Sequence, residues 1–200
     1  MLAVAILAAG ESRRMGRPKA LLTYRGKTFA EHLVSATRHE RVCLTRIVLG
    51  ARAEEIRNQL PFDPAWILEN PDWQQGQLSS IQTAVRSLPP GATEGLIVCP
   101  VDHPLISNFL VAQLIQEFDS AQKQIVLPTH RRKRGHPVIF RASLYKELLA
   151  ASPLVGAREV VWAHAQDVAE VETGEEGVVL NLNDPETLKK ALGEKHLDFE

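Results

Sequence analysis

Cysteine is nearly absent: the 200 residues hold only Cys43 and Cys99, far apart and without a CxxC pair. That excludes a disulfide scaffold and a zinc knuckle, and it fits a reducing compartment, so a cytoplasmic location is expected. An excess of charge is also missing. Lys and Arg number 23 and Asp and Glu 24, leaving a net charge of −1 and a pI near 6.7. A dedicated nucleic-acid binder usually carries a basic excess, so no nucleic-acid partner is expected. No apolar run approaches the ~18 residues of a membrane helix, so no membrane partner is expected either. The opening MLAVAILAAG lacks a basic leader, and its arginine pair follows the apolar stretch. It reads as a strand buried on both faces rather than as a signal peptide. There is no internal repeat, low-complexity stretch or long linker. What is present is 44% hydrophobic and 24% charged residues, enough for one globular domain that buries roughly 70% of its unfolded surface. A single domain over 1–193 is expected, with a polar tail at 194–200.

The even total hides an uneven distribution. Between Glu11 and Lys27 stand Arg13, Arg14, Arg17, Lys19, Arg25 and Lys27 against one acid, a local +5. Arg131–Arg134 add +4 without an acid, and Asp167–Glu200 hold ten acids against three lysines. Basic loops are often only solvated, but two of them on a neutral chain fit focused recognition of small anions.

Short apolar runs alternate with helical patterns. Strands are expected at Ala3–Ala8, Arg46–Gly50, Ala65–Leu68, Gly95–Cys99, Gln124–Leu127, Pro137–Phe140 and Gly177–Leu180, with a weaker one at Val168–Glu172. Thr28 and Glu31 form a capping-box pattern that opens a helix to about Glu40. Further helices are expected at Ala53–Leu60, Leu78–Leu88, Ser107–Asp119, Ala142–Ala151 and Ala157–Ala165. Asp184-Pro185, a cap followed by a first-turn proline, starts the last one. The alternation predicts an α/β fold with a mostly parallel central sheet flanked by helices. In such sheets ligands sit at the carboxyl ends of strands, which directs attention to the loops after Leu7, Cys99, Leu127 and Leu180.

The first of these loops reads LAAGESRRMGRPKALL, Leu7 to Leu22. Ala8, Ala9 and Gly10 are small enough for close backbone approach by a nucleotide, and turn amides of this kind form an anion-binding nest. Arg14 and Lys19 add cations. The string is not a P-loop, because five residues separate Gly10 from Gly16 and Lys19 is not followed by Ser or Thr. Neither is it GxGxxG.

It resembles the LAAGxSxRMGxxKxLL signature of the nucleotidyltransferases that act on molybdenum cofactor, within the larger group that makes nucleotide sugars. Further matches extend the resemblance across nearly the whole chain. It implies a single Rossmann-like domain of the glycosyltransferase-A type. It also implies nucleotide contacts at Leu7, Ala8, Ala9 and Gly10, with Arg14 and Lys19 on the triphosphate.

Asn70–Ser80 looks like the NPxWxxGxxxS segment of that family, associated there with base and ribose, which adds Gly76, Ser79 and Ser80 to the nucleotide set. Trp73 either covers a ring or packs on its own domain. Asp102, in Cys99-Pro100-Val101-Asp102-His103-Pro104, matches a (G/A)DxP motif whose carboxylate binds Mg²⁺, and an acid just past a buried strand with stiffening prolines on either side suits that task. The segment Pro128–Pro137 ends in a GHP unit similar to that of the cytidylyltransferase branch. Arg134, Gly135 and His136 are accordingly the acceptor-side candidates, His136 being as readily a loop-fixing residue. Asn181-Leu182-Asn183-Asp184-Pro185 corresponds to DxDTPxD or NxNTPxD, making Asn183 the second metal ligand with Asn181 behind it. Asparagine where that branch carries aspartate removes a charge and weakens the branch assignment. Asp184 is either a ligand or only the helix cap.

These residues imply a Mg²⁺-dependent transfer of CMP from CTP to the phosphate of a molybdopterin-type cofactor, with release of pyrophosphate. Guanylyl transfer to the same cofactor, sugar-1-phosphate transfer and a non-enzymatic cofactor chaperone are the alternatives. A molybdoenzyme or its maturation factor is the expected protein partner. An anionic acceptor needs no general base, consistent with the lack of a poised histidine or nucleophile motif.

Overall fold

The structure is a computed structural model that describes residues 1–193, so the expected tail at 194–200 lies outside the described residues. In chain order the strands are β1 (Leu2–Ala8), β2 (Thr23–Tyr24), β3 (Lys27–Thr28), β4 (Val42–Leu49), β5 (Ile67–Glu69), β6 (Gly95–Pro100), β7 (Ile125–His130), β8 (Lys133–Arg134), β9 (Val138–Arg141) and β10 (Val168–Glu172). The helices are α1 (Phe29–Ala36), α2 (Ala53–Gln59), α3 (Gln77–Arg86), α4 (Asn108–Ala121), α5 (Tyr145–Ala150), α6 (Arg158–Ala163) and α7 (Pro185–Leu192).

The main sheet runs β10-β7-β9-β6-β1-β4-β5, with β8 paired to β7. β1 lies parallel to both β4 and β6 at the centre, while β9 runs antiparallel between β6 and β7. Every residue of β1 is buried, because helices cover both faces of the sheet. Its alternating side chains enter opposite layers. Leu2, Val4 and Ile6 pack with Phe29, Leu33 and Phe118 on one face, while Ala3, Ala5 and Leu7 pack with Ile81, Leu148 and Val160 on the other.

Most helix signals hold near their starts, but α5 begins at Tyr145 after a 3-10 turn at Ala142–Leu144, and α4 runs to Ala121, beyond the expected Asp119. The Thr28 hydroxyl accepts from the Glu31 amide at 3.1 Å, and the Glu31 carboxylate accepts from the Thr28 amide at 2.8 Å, completing the capping box. α1 stops at Ala36 instead of reaching Glu40. The Thr37 hydroxyl bonds back to the Leu33 carbonyl at 2.8 Å and occupies an acceptor of the last turn. Asp184 caps α7 through the Thr187 amide at 2.8 Å, with Pro185 in the first turn.

One expected strand is absent. Gly177–Leu180 is no strand; Glu176–Val178 instead forms a tight 3-10 turn. Its carbonyls serve loops rather than a ladder: Val178 O accepts from the His136 amide at 2.9 Å, and Gly177 O bonds His103 Nδ1 at 3.2 Å. The run is apolar because it is packed down over the carboxyl edge of the sheet. Gly135 lies beneath it, where a Cβ would sit 2.4 Å from Val178 O. Gly135→Ala is therefore expected to cost about 2 kcal/mol of stability, since backbone must move to admit the methyl group. A urea unfolding midpoint equal to that of the native protein would contradict this.

The two basic segments also resolve. Tyr24-Arg25-Gly26-Lys27 is the tip of a β2–β3 hairpin that the sequence pattern did not reveal. Arg131 and Arg132 form the tip of the β7–β8 hairpin, with φ of 49° and 65°. The +4 is partly compensated from β10. Arg134 pairs with Glu170 at 2.6 Å, and the Glu172 carboxylate accepts from the Arg131 amide at 2.9 Å.

Candidate nucleotide and metal site

The carboxyl ends of β1 and β6 are tied together where the first loop begins: the Val101 amide donates to Leu7 O at 3.0 Å. Ala9 is fixed from the other side, its carbonyl accepting from the Ala51 amide at 3.0 Å. Ala8 and Ala9 are buried and Gly10 is exposed, so the backbone of the loop meets open space at Gly10. Trp73 packs across Gly50, where a Cβ would lie 2.5 Å from the Trp73 Cβ and 2.8 Å from Ala9 O. Its packing role is thus visible, and its ring also forms one wall of a cavity of about 200 Å³. Gly10, Lys19, Gly76, Gln77, Ser80 and Asp102 are among the other residues that line it.

Lys19 starts a short 3-10 turn whose first amide donates to the Ser12 hydroxyl at 3.1 Å. This fixes the root of the side chain and aims it inward. Its ammonium donates to Asn183 Oδ1 at 2.5 Å and lies 3.4 Å from Asp102 Oδ2. The loop after β6 and the segment before α7 are held together by their backbones, the Leu182 amide donating to Asp102 O at 3.0 Å. Lys19, Asp102 and Asn183, separated by up to 164 positions, thus converge on one point. The Lys19 and Asp102 side chains are only 16% and 20% exposed, so their charges act through less water than surface ions do.

The remaining sequence candidates occupy distinct places. Arg14 is exposed on the turn Arg13–Met15. Asp184 is held below the usual carboxylate range by hydrogen bonds from Thr187, with a smaller contribution from the charge of Arg14. Asn181 is exposed beside Asn183. The buried Asn70 amide donates to the Ser79 and Ser80 hydroxyls at 2.8 and 3.0 Å, and Ser79 itself donates to Gly76 O at 2.8 Å. Ser79 is therefore committed to the loop, whereas Ser80 also reaches the cavity wall. Asn70, Ser12 and Gln77 were not singled out from sequence. Asn70 stands in the Asn70-Pro71 pair that opens the NPxW segment, which was the available signal.

Arg134, Gly135 and His136 line a second cavity of about 440 Å³ that shares Gln77 with the first. His136 is half-buried with its Nδ1 buried and unpartnered, and burial, then the nearby His103, pushes its pKa down to about 4. The ring is neutral at physiological pH. The His103 ring centre lies 4.9 Å away.

Asp102 and Asn183 present oxygen donors that already converge on one cation, the ammonium of Lys19. Hard oxygen donors of this kind suit Mg²⁺ or a similar divalent ion. Among the described residues no cluster of three His, Cys, Asp or Glu side chains surrounds the point. An ion there would take its other ligands from phosphate and water, as Mg²⁺ commonly does.

A small-residue loop after the central strand, with a lysine, a carboxylate and an amide meeting beside it, defines an α/β domain of the nucleotidyltransferase type. The model of the MobA-like NTP transferase domain matches residues 4–168, and the chain belongs to that family. Asn183 falls beyond the matched segment. Among curated proteins, the nicotine blue oxidoreductase of Paenarthrobacter nicotinovorans is 34% identical over 149 residues, covering 70% of each chain. A probable molybdenum cofactor guanylyltransferase of Mycobacterium tuberculosis is 30% identical over 160 residues, 79% of this chain and 75% of that one. Among solved structures, Rv0371c of Mycobacterium tuberculosis superposes with a TM-score of 0.81 at 22% identity, covering 96% of both chains. No helix among the described residues is long and apolar enough to cross a membrane.

Proposed function

We propose that the protein transfers CMP from CTP to the terminal phosphate of a molybdopterin-type cofactor, with a divalent ion, Mg²⁺, and release of pyrophosphate. The observation that carries this reading is the meeting of Lys19, Asp102 and Asn183 beside the Gly10 loop. The loop amides and Arg14 would receive the triphosphate, and Asp102 and Asn183 would hold the ion. Bound there, the ion supplies positive charge against the phosphates of the nucleotide. Lys19 neutralises charge developing on the phosphates, and the Gly10 loop fixes the α-phosphorus for in-line attack. A phosphate oxygen of the acceptor forms the new bond to the α-phosphorus as the bond to pyrophosphate breaks. The acceptor is already anionic, so no side chain must remove a proton.

The NPxW segment around Trp73 and the GHP unit at Gly135-His136-Pro137, similar to those of the cytidylyltransferase branch, support CTP as the donor. Guanylyl transfer is the second reading, favoured by the name of the mycobacterial relative. The reaction product would pass to a molybdoenzyme or its maturation factor. Melting the protein with CTP, GTP, UTP or ATP, each with and without Mg²⁺, tests the reading. At a hundredfold excess over Kd, CTP with Mg²⁺ is expected to raise Tm by on the order of 5 °C, and more than the other three. A larger shift with GTP would establish the second reading, and no shift with any triphosphate would refute transfer altogether.

A further inference from the structure

We infer that the second cavity is a binding site for a flat, anionic heteroaromatic ring, with Trp162 as its cover and Arg158 as its charge partner. The cavity volume of about 440 Å³ is that of a small-molecule site. Leu127, Val138 and Phe140 form an apolar floor, and α6 with the segment before it forms the opposite wall. On that wall Trp162 is 61% exposed and Leu154 97% exposed. They are two of only four large apolar side chains left exposed among the described residues. An exposed tryptophan and leucine beside a cavity with both apolar and polar lining is surface that a flat ligand with polar substituents would cover.

The wall is pre-shaped. Gly156 adopts φ +82° and donates its amide to Ser152 O at 2.8 Å, while the Glu159 carboxylate accepts from the Ser152 amide at 2.9 Å. These bonds hold the bend that delivers Arg158 and Trp162 to the cavity. The cavity's two arginines differ. Arg134 is paired with Glu170, whereas the Arg158 guanidinium has no ion-pair partner among the described residues. Arg158 is therefore the cation available to an anionic substituent, and Arg can also stack on a ring face. Because Gln77 borders both cavities, a ligand seated here lies next to the nucleotide site. The inference rests on the proposed transfer only in naming this ligand the acceptor.

The probe is 6-carboxypterin, a flat heteroaromatic carboxylate, followed by its own fluorescence anisotropy, with uncharged pterin as control. The native protein is expected to bind 6-carboxypterin more tightly than pterin. Trp162→Leu should weaken both about tenfold, while Trp162→Phe stays within about threefold. Arg158→Gln should weaken 6-carboxypterin about tenfold and leave pterin unchanged. Thermal shifts with CTP and Mg²⁺ are expected to be the same in all three variants, showing that the fold and the nucleotide site persist. Equal binding by Trp162→Leu and the native protein would overturn the inference, as would an equal loss of both pterins in Arg158→Gln. Pterin binding without any triphosphate shift would leave this site standing and refute the transferase reading instead.

Discussion

Asp102→Ala is expected to lower nucleotidyl transfer by about 10³-fold or more while the protein melts close to the native temperature. The two halves of that expectation have separate origins. The backbone carbonyl of Asp102 accepts from the Leu182 amide and anchors the segment that carries Asn183, and alanine keeps that carbonyl. What is lost is the carboxylate, which faces Lys19 at 3.4 Å and His103 Nε2 at 4.0 Å and supports no other part of the fold. Asn183 contributes an amide oxygen without charge, so Asp102 is the sole full negative charge of the pair that would hold the ion. Loss of metal-borne charge stabilisation is worth several kcal/mol, and about 4 kcal/mol corresponds to 10³ in rate. Pyrophosphate release under saturating nucleotide, alongside a melting curve, measures both quantities. Turnover within tenfold of native would remove Asp102 from the metal site.

Lys19→Met carries two effects of opposite sign. Transfer should fall about 10²-fold, because a cation aimed at developing phosphate charge is gone. Binding of bare Mn²⁺ should tighten severalfold. In the free protein the Lys19 ammonium already occupies the oxygens of Asp102 and Asn183, and an ion sharing them would face its repulsion. Methionine keeps much of the side-chain volume and removes the charge. Electron paramagnetic resonance of free Mn²⁺ titrated with each protein reads the second effect without any turnover. Weaker Mn²⁺ binding by the variant would show that Lys19 supports the metal oxygens rather than competing for them.

Much of this site was legible because its signals are local. A buried run followed by small residues, an acid between prolines at a strand end, and the capping patterns at Thr28 and Asp184 each specify geometry within a few positions. What escaped depends on distant chain segments. The Arg131–Arg134 run reads as uncompensated, yet Glu170 and Glu172 come alongside it through the parallel pairing of β10 with β7. Gly177–Leu180 has the composition of a buried strand, but the carbonyls of Gly177 and Val178 bond to His103 and to the His136 amide rather than to a neighbouring strand. Of the second cavity only the GHP unit was legible, since its other wall is α6, which lies far along the chain from β7 and β9. The ammonium position of Lys19 was likewise hidden, although Lys19, Asp102 and Asn183 were each identified.

The most direct test of nucleotidyl transfer follows the fate of the α-phosphate. The protein is incubated with molybdopterin-type cofactor, Mg²⁺ and CTP labelled at either the α- or the γ-phosphorus. The expected result is α-label in the acceptor and γ-label in pyrophosphate in equal amounts, with both lost in Asp102→Ala. Appearance of the γ-label in the acceptor, or an acceptor left unlabelled with CTP and equally with GTP, would contradict nucleotidyl transfer at this site.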